Sequence, residues 1–211
     1  MCMEAVIVPD DGSGLGRKLP IPIKSPRLIL RRLAASDWKD LMELLSDEEF
    51  RGYTEGLTWQ ADGEEQVLHW LESDSVIKLT TPDQMFRLAI ELQDGGKLIG
   101  YLGLRFADRL QAALHINLHR SYHRQGFALE AVDALLGFCF EGIKLHRVTA
   151  CCDSRNTAAC RLFENVGMRR EGEFVKDQPA AGGGWTNSVW YAALEEEYRE
   201  AGDKPVEGSP A

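Results

Sequence analysis

The chain lacks any run approaching the ~18 consecutive apolar residues of a membrane-spanning helix. It also lacks a basic segment followed by an apolar one at its amino end. The first absence argues against a membrane partner and the second against a secretory signal, so a cytoplasmic protein is expected. Its five cysteines, Cys2, Cys139, Cys151, Cys152 and Cys160, include no Cys-x-x-Cys pair. An odd count without that spacing suits neither a disulfide framework nor a structural zinc site; no metal is expected, and the thiols read as buried and reduced. No Gly-Lys-Ser/Thr follows a glycine-rich turn, which disfavours the P-loop nucleotide enzymes. Excess positive charge is missing too: 24 Lys and Arg stand against 33 Asp and Glu, a net charge of −9. That disfavours nucleic acid as a partner and suits a cationic substrate.

What is present is material for one core, with 44% of 211 residues hydrophobic. Residues 1–24 carry Gly, Pro and Asp without periodicity and read as a flexible arm; residues 201–211 read as a disordered tail. The span 25–200 is then one domain.

Within it, Arg27–Leu33 predicts a strand. Ser36 is placed to cap a helix in which Trp38, Leu41, Met42 and Leu45 follow at helical spacing. A second helix is expected around Glu64–Leu71, after a loop at Arg51–Gln60. Period two then takes over: Phe86, Leu88, Ile90 and Leu92 share one strand face, and Asp94-Gly95-Gly96 turns the chain into a strand over Lys97–Phe106. Leu114, Ile116 and Leu118 alternate with His115, Asn117 and His119. A helix over Gly126–Glu141 carries Leu129, Val132, Leu136, Cys139 and Ile143 as its apolar stripe. A strand at Arg147–Asp153, a helix at Asn156–Gly167 and strands at Arg170–Lys176 and Trp185–Leu194 complete the order. The fold class is therefore α/β: a mixed, mostly antiparallel sheet with a central parallel β-α-β unit and helices on both faces.

The segment Tyr122-His123-Arg124-Gln125-Gly126-Phe127-Ala128 leaves an apolar strand and enters an amphipathic helix. At that junction the first helical N–H groups lack intrahelical acceptors and the helix dipole is positive, an environment that suits a pyrophosphate. Gly126 lets an anion approach the backbone, Ala128 keeps the next turn small, and Arg124 adds a cation. Further on, Asp153-Ser154-Arg155-Asn156 ends a second parallel strand and opens another helix, so two helix N-termini converge on one crevice.

These residues resemble the GNAT acetyltransferase superfamily. The family's Gln/Arg-x-x-Gly-x-Gly/Ala loop matches His123-Arg124-Gln125-Gly126-Phe127-Ala128, with His at the first position. Asn156-x-Ala158-Ala159-x-x-Leu162-Phe163 through Val166-Gly167-Met168 resembles the family's second motif. Ser25-Pro26-Arg27-Leu28-Ile29-Leu30-Arg31 and Trp185-x-x-Ser188-Val189-x-Tyr191 are similar to the ribosomal-protein-alanine N-acetyltransferase branch. The resemblance implies acetyl-CoA as co-substrate, with pantetheine held by Ile116, Asn117 and Leu118, pyrophosphate over residues 123–128, and Asn156 against the pantetheine arm. It implies direct attack of an amine, on a small molecule or a peptide N-terminus, with the Leu118 N–H as oxyanion donor. A homodimer is compatible with this reading.

Three of the family's helpers are missing. Phe163 stands where relatives carry a Tyr acid, Ala159 where the branch has Ser, and Ala113 where some have Glu. His115 and Asp177 are the candidates for a general base, and His119 could face the anion. Cys160 borders the apolar face of its helix. Trp185 and Trp190 are candidates for an acceptor pocket; Trp70 reads as packing. A catalytically silent acyl-CoA-binding module is the alternative reading.

Overall fold

The computed structural model describes residues 7–8, 17–18, 21–46, 65, 67, 71, 85–180 and 183–202. A short ladder pairs β1 (Ile7–Val8) with β2 (Arg17–Lys18). The main sheet has eight strands in the order β3-β4-β5-β6-β7-β8-β10-β9. They are β3 (Ile23–Lys24), β4 (Leu28–Arg32), β5 (Met85–Leu92), β6 (Leu98–Phe106), β7 (Gln111–Leu118), β8 (Arg147–Asp153), β9 (Arg169–Pro179) and β10 (Trp185–Leu194). Every neighbouring pair is antiparallel except β7 and β8. The mixed α/β sheet with one parallel crossover is thus the fold expected from the pattern. Its edge strand β3 pairs Ile23 with Leu30, so the sheet begins inside the segment read as an arm.

Helices cover both faces. On one side, α2 (Phe127–Gly137) and α3 (Thr157–Asn165) share one core with Leu28, Leu30, Leu88, Ile90, Leu102, Leu104 and Leu114, the inward alternate residues of four adjacent strands. On the other, α1 (Trp38–Leu45) buries Leu41, Leu44 and Leu45 with Val67 and Leu71 against Ala89, Leu98 and Tyr101. Glu65, Val67 and Leu71 are helical, as expected of that stretch. The loop at Arg51–Gln60, with Trp59, lies outside the described residues, as do Trp70 and Cys2. Finally α4 (Glu195–Gly202) follows β10, and its Tyr198 ring sits 5.3 Å from that of Phe140. The acidic run Glu195–Glu197 opens this helix, where carboxylates favour the positive end of the dipole.

Three local expectations are corrected. Ser36 caps nothing: a 3₁₀ turn (Ala35–Asp37) precedes α1, and the Asp37 carboxylate instead accepts the Ala34 N–H at 2.8 Å while pairing with Arg31. The buried stripe of α2 is Ala131, Val132, Leu135 and Leu136, leaving Leu129 40% exposed. The helix also passes into a π-turn at Phe138–Gly142 instead of continuing, which rotates Phe138, Cys139 and Phe140 together into the core. Lastly, β9 is longer than its apolar pattern implied, because its pairing with β10 resumes past a bulge to reach Pro179.

Candidate active site

The parallel pairing of β7 with β8 stops early. It runs from Gln111↔Arg147 to Leu114↔Ala150, yet β7 continues to Leu118 on β6, and β8 continues to Asp153 on β10. Residues 115–118 and 151–153 therefore face each other across a gap with no strand rungs. Strand amides alternate in direction, and here the His119 N–H bonds the Ile99 carbonyl of β6 at 2.8 Å. The N–H groups of Leu118 and Ile116 consequently point into the gap. On the other side of β7 the contact is close: a Cβ on Gly100 would lie 2.2 Å from the Asn117 carbonyl oxygen.

At the end of this gap the chain turns through Arg120–Tyr122 into α2. Gly126 is the helix N-cap with φ +80, and Arg124 is also left-handed at φ +58. The first intrahelical bond is Glu130 N–H to the Gly126 carbonyl, 3.0 Å. The amides of Gly126, Phe127 and Ala128 thus have no acceptor among the described residues, as a helix start requires. A fully unsatisfied set of donors beside a cationic residue, at a position with no Cβ, fits a diphosphate. Pantetheine, which carries two amides, fits the gap-facing backbone of Ile116 and Leu118, which has no partner on β8. A groove of about 410 Å³ adjoins Gly126 between α2 and the end of α3, lined by Arg27, Leu129, Asp133 and Asn165 but by no residue of the gap.

Several predicted site residues serve the loop itself. The His123 ring bonds the Leu118 carbonyl through Nε2 at 2.9 Å, which places the proton on that nitrogen and leaves the Leu118 N–H facing the gap. The Gln125 side chain donates to the Ser121 carbonyl at 2.8 Å. Asn156 caps α3, its Oδ1 accepting the Ala159 N–H at 3.0 Å, so that Nδ2 is the end left over. His119 turns away from the helix start: Nδ1 accepts from Ser121 N–H, and Nε2 lies 3.6 Å from Glu43 of α1.

Of the two base candidates, His115 is the first residue of the gap. It shares a sheet face with its partner Gly103 and with Arg87 beyond, the face that α1 covers. Its Nε2 is buried without a hydrogen-bond partner among the described residues. Burial, reinforced by Arg105 and Arg87, pushes its pKa down to about 4, so the ring is neutral at pH 7. Asp177 is differently placed. Its Oδ1 accepts the Ser188 N–H (3.0 Å), and its Oδ2 accepts the Ser188 hydroxyl (2.6 Å) and Gln178 (3.1 Å). The Ser188 hydroxyl bond above all holds its carboxyl below the usual range. Both oxygens are committed to pinning β9 on β10 at the bulge.

Phe163 is buried, its ring 5.5 Å from Tyr191, whose hydroxyl meets Glu164 at 3.1 Å. Ala113 sits one rung below the gap. Cys160 Sγ lies 3.6 Å from Cys152 Sγ on β8. Trp190 is 37% exposed and meets Phe174 edge to face at 6.1 Å; Trp185 is exposed. Sequence reasoning missed Arg27 and Glu130 as parts of the loop. A Glu in the first turn of α2 and an Arg just before β4 were legible separately, but nothing local joined them.

The chain is similar to known acetyltransferases. The family model described as Acetyltransferase (GNAT) domain matches residues 27–169. The uncharacterized N-acetyltransferase YnaD of Bacillus subtilis (strain 168) is 29% identical over 178 residues, which are 83% of this chain and 98% of that protein. A GNAT-family acetyltransferase from Bacillus anthracis, known as a crystal structure, superposes with a TM-score of 0.71 at 30% identity, covering 82% of this chain and 98% of that one. Spermidine N-acetyltransferase from Vibrio cholerae, solved with CoA and spermine, shares the fold at TM-score 0.72 and 19% identity, over 83% and 99% of the two chains.

Proposed function

The chain belongs to the GNAT acetyltransferase family, and on that premise we propose that it moves the acetyl group of acetyl-CoA onto a primary amine by direct attack within a ternary complex. The observation that carries the reading is the gap between β7 and β8, opening after Leu114 and Ala150 and ending at the Gly126 helix start. Acetyl-CoA supplies the thioester when bound; the chain supplies position and dipoles. Gly126, Phe127 and Ala128 amides with Arg124 hold the pyrophosphate, while Ile116, Asn117 and Leu118, with Asn156 Nδ2, hold the pantetheine arm. The Leu118 N–H faces the thioester carbonyl and stabilises the negative charge that grows on its oxygen.

For the amine's proton, His115 is the better of the two acceptors. It is neutral at pH 7 and its Nε2 has no hydrogen-bond partner among the described residues, whereas the oxygens of Asp177 are occupied. A pKa near 4 makes it a weak base, so water shares this task. The acceptor is a small-molecule amine or a peptide N-terminus. A net charge of −9 favours a cation, and the Vibrio cholerae relative was solved with spermine.

The test is release of coenzyme thiol from acetyl-CoA across a polyamine, an aminoglycoside and a peptide with a free N-terminus. Turnover on one class supports the proposal. Tight CoA binding with no thiol release on any of them would favour a silent acyl-CoA-binding module, a reading motivated by Phe163 in place of a tyrosine acid.

A further inference from the structure

The geometry points to Arg27 as a positioning residue for coenzyme binding: it fixes the direction of the Gly126 N–H from outside the loop. This inference rests on the acetyl-CoA reading above. Arg27 ends the turn between β3 and β4, 103 residues from its main partner in sequence. Its Nη1 donates to the Gln125 carbonyl at 3.0 Å and its Nε to Glu130 Oε2 at 2.7 Å. The guanidinium carbon lies 4.3 Å above the Phe127 ring. Glu130 is held in turn, its Oε1 accepting the Arg27 N–H and the Ser25 hydroxyl, each at 2.7 Å.

Gln125 lies between the two left-handed residues of the loop, Arg124 and Gly126. The non-glycine of this pair is strained in that conformation, and such a turn persists only when its surroundings hold it. Arg27 supplies that hold at one defined atom. In a trans peptide the carbonyl and the following N–H point in opposite directions. With the Gln125 oxygen turned toward the guanidinium, the Gly126 N–H is turned away from it, free to meet a phosphate. A Cβ on Gly126 would come within 3.3 Å of Arg27 Nη2, so the guanidinium closes this side of the loop. One side chain therefore sets the peptide plane, covers the helix's first aromatic ring and ties both to the helix through Glu130.

Two variants separate positioning from bulk stability. Arg27→Met keeps an unbranched stem over Phe127 but loses both donors. Arg27→Lys keeps a charge for Glu130 but has no second nitrogen, in fixed geometry, for the Gln125 carbonyl. The expected result is a rise of about tenfold in the KM for acetyl-CoA and in the Kd for CoA in both variants, the scale of one lost hydrogen bond. The kcat should stay within about twofold and the acceptor KM unchanged. Arg27→Lys should recover much of any lost thermal midpoint without recovering coenzyme affinity. If Arg27→Met does not fold, Arg27→Lys decides alone. Unchanged coenzyme affinity in a folded variant, or affinity recovered together with stability in Arg27→Lys, overturns the inference. Wild-type protein that binds no CoA removes both the inference and the functional reading beneath it, and that result is distinct from either.

Discussion

His115 is kept uncharged by its burial and by two neighbouring arginines, and that has a consequence for stability. Its folded pKa of about 4 lies below the 6.5 of an exposed histidine. The unfolded chain therefore takes up a proton first as pH falls, so the native state loses stability on acidification. The contribution is complete above pH 6.5 and is lost as pH drops toward 4, an effect of about 3 kcal/mol for a shift of this size. Denaturant titrations between pH 7 and pH 4 should show that loss in the wild type and a shallower one in His115→Gln. Equal slopes would mean that the ring is not buried as described. At this scale the sequence was partly legible. Gly126 and Asn156 stood out because a helix start has fixed needs that particular residues meet. His123 and Gln125 were also singled out, as coenzyme-binding positions; the structure adds that their side chains bond the Leu118 and Ser121 carbonyls. Arg27 was not legible, since its partners Gln125 and Glu130 lie 98 and 103 residues away.

Elements were the most legible level. Strands with period two and helices with period near 3.6 were placed correctly because each face meets a single environment, α2 and α3 on one side and α1 on the other. The errors fell where tertiary packing overrides local pattern. Leu129 reads as part of an apolar stripe, yet α2 turns a neighbouring stripe to the sheet and leaves Leu129 beside the groove. The gap itself is an element-scale feature that periodicity does not show: residues 115–118 look like any other strand residues, and it was the family resemblance that implied a splay there, which the register of β7 and β8 displays. Gly100 is what lets β6 follow β7 so closely there. Gly100→Ala would put a Cβ against backbone atoms of Asn117 and Leu118 that cannot rotate aside. It should destabilise the protein by about 1–3 kcal/mol, the usual range for overpacking, and weaken CoA binding beyond what the stability loss explains, since the displaced residues line the gap. Thermal melts and CoA titrations together would check this; unchanged affinity in a variant of lowered midpoint would separate Gly100 from the site.

For the molecule as a whole, stability resides in the two cores flanking one sheet, with no covalent link among the described residues. Cys139, Cys151, Cys152 and Cys160 are free thiols. Cys152 and Cys160 approach to 3.6 Å, and burial, with Cys160 adding to it, pushes the Cys152 thiol pKa up, which suppresses the thiolate that disulfide exchange needs. Thermal midpoints with and without reductant should coincide; a fall of many degrees on reduction would show a structural disulfide. Among the described residues no helix is long and apolar enough to cross a membrane. The central claim is that the strand gap and the Gly126 helix start form one coenzyme site. Calorimetric titration of CoA into the wild type and into Gly126→Val tests it most directly, because a branched residue at φ +80 strains the helix start and its Cβ would press on the Arg27 guanidinium that holds the Gln125–Gly126 peptide. Binding should be measurable in the wild type and lost in Gly126→Val that remains folded by circular dichroism. Equal affinity in the two folded proteins would place the phosphate site elsewhere and contradict the claim.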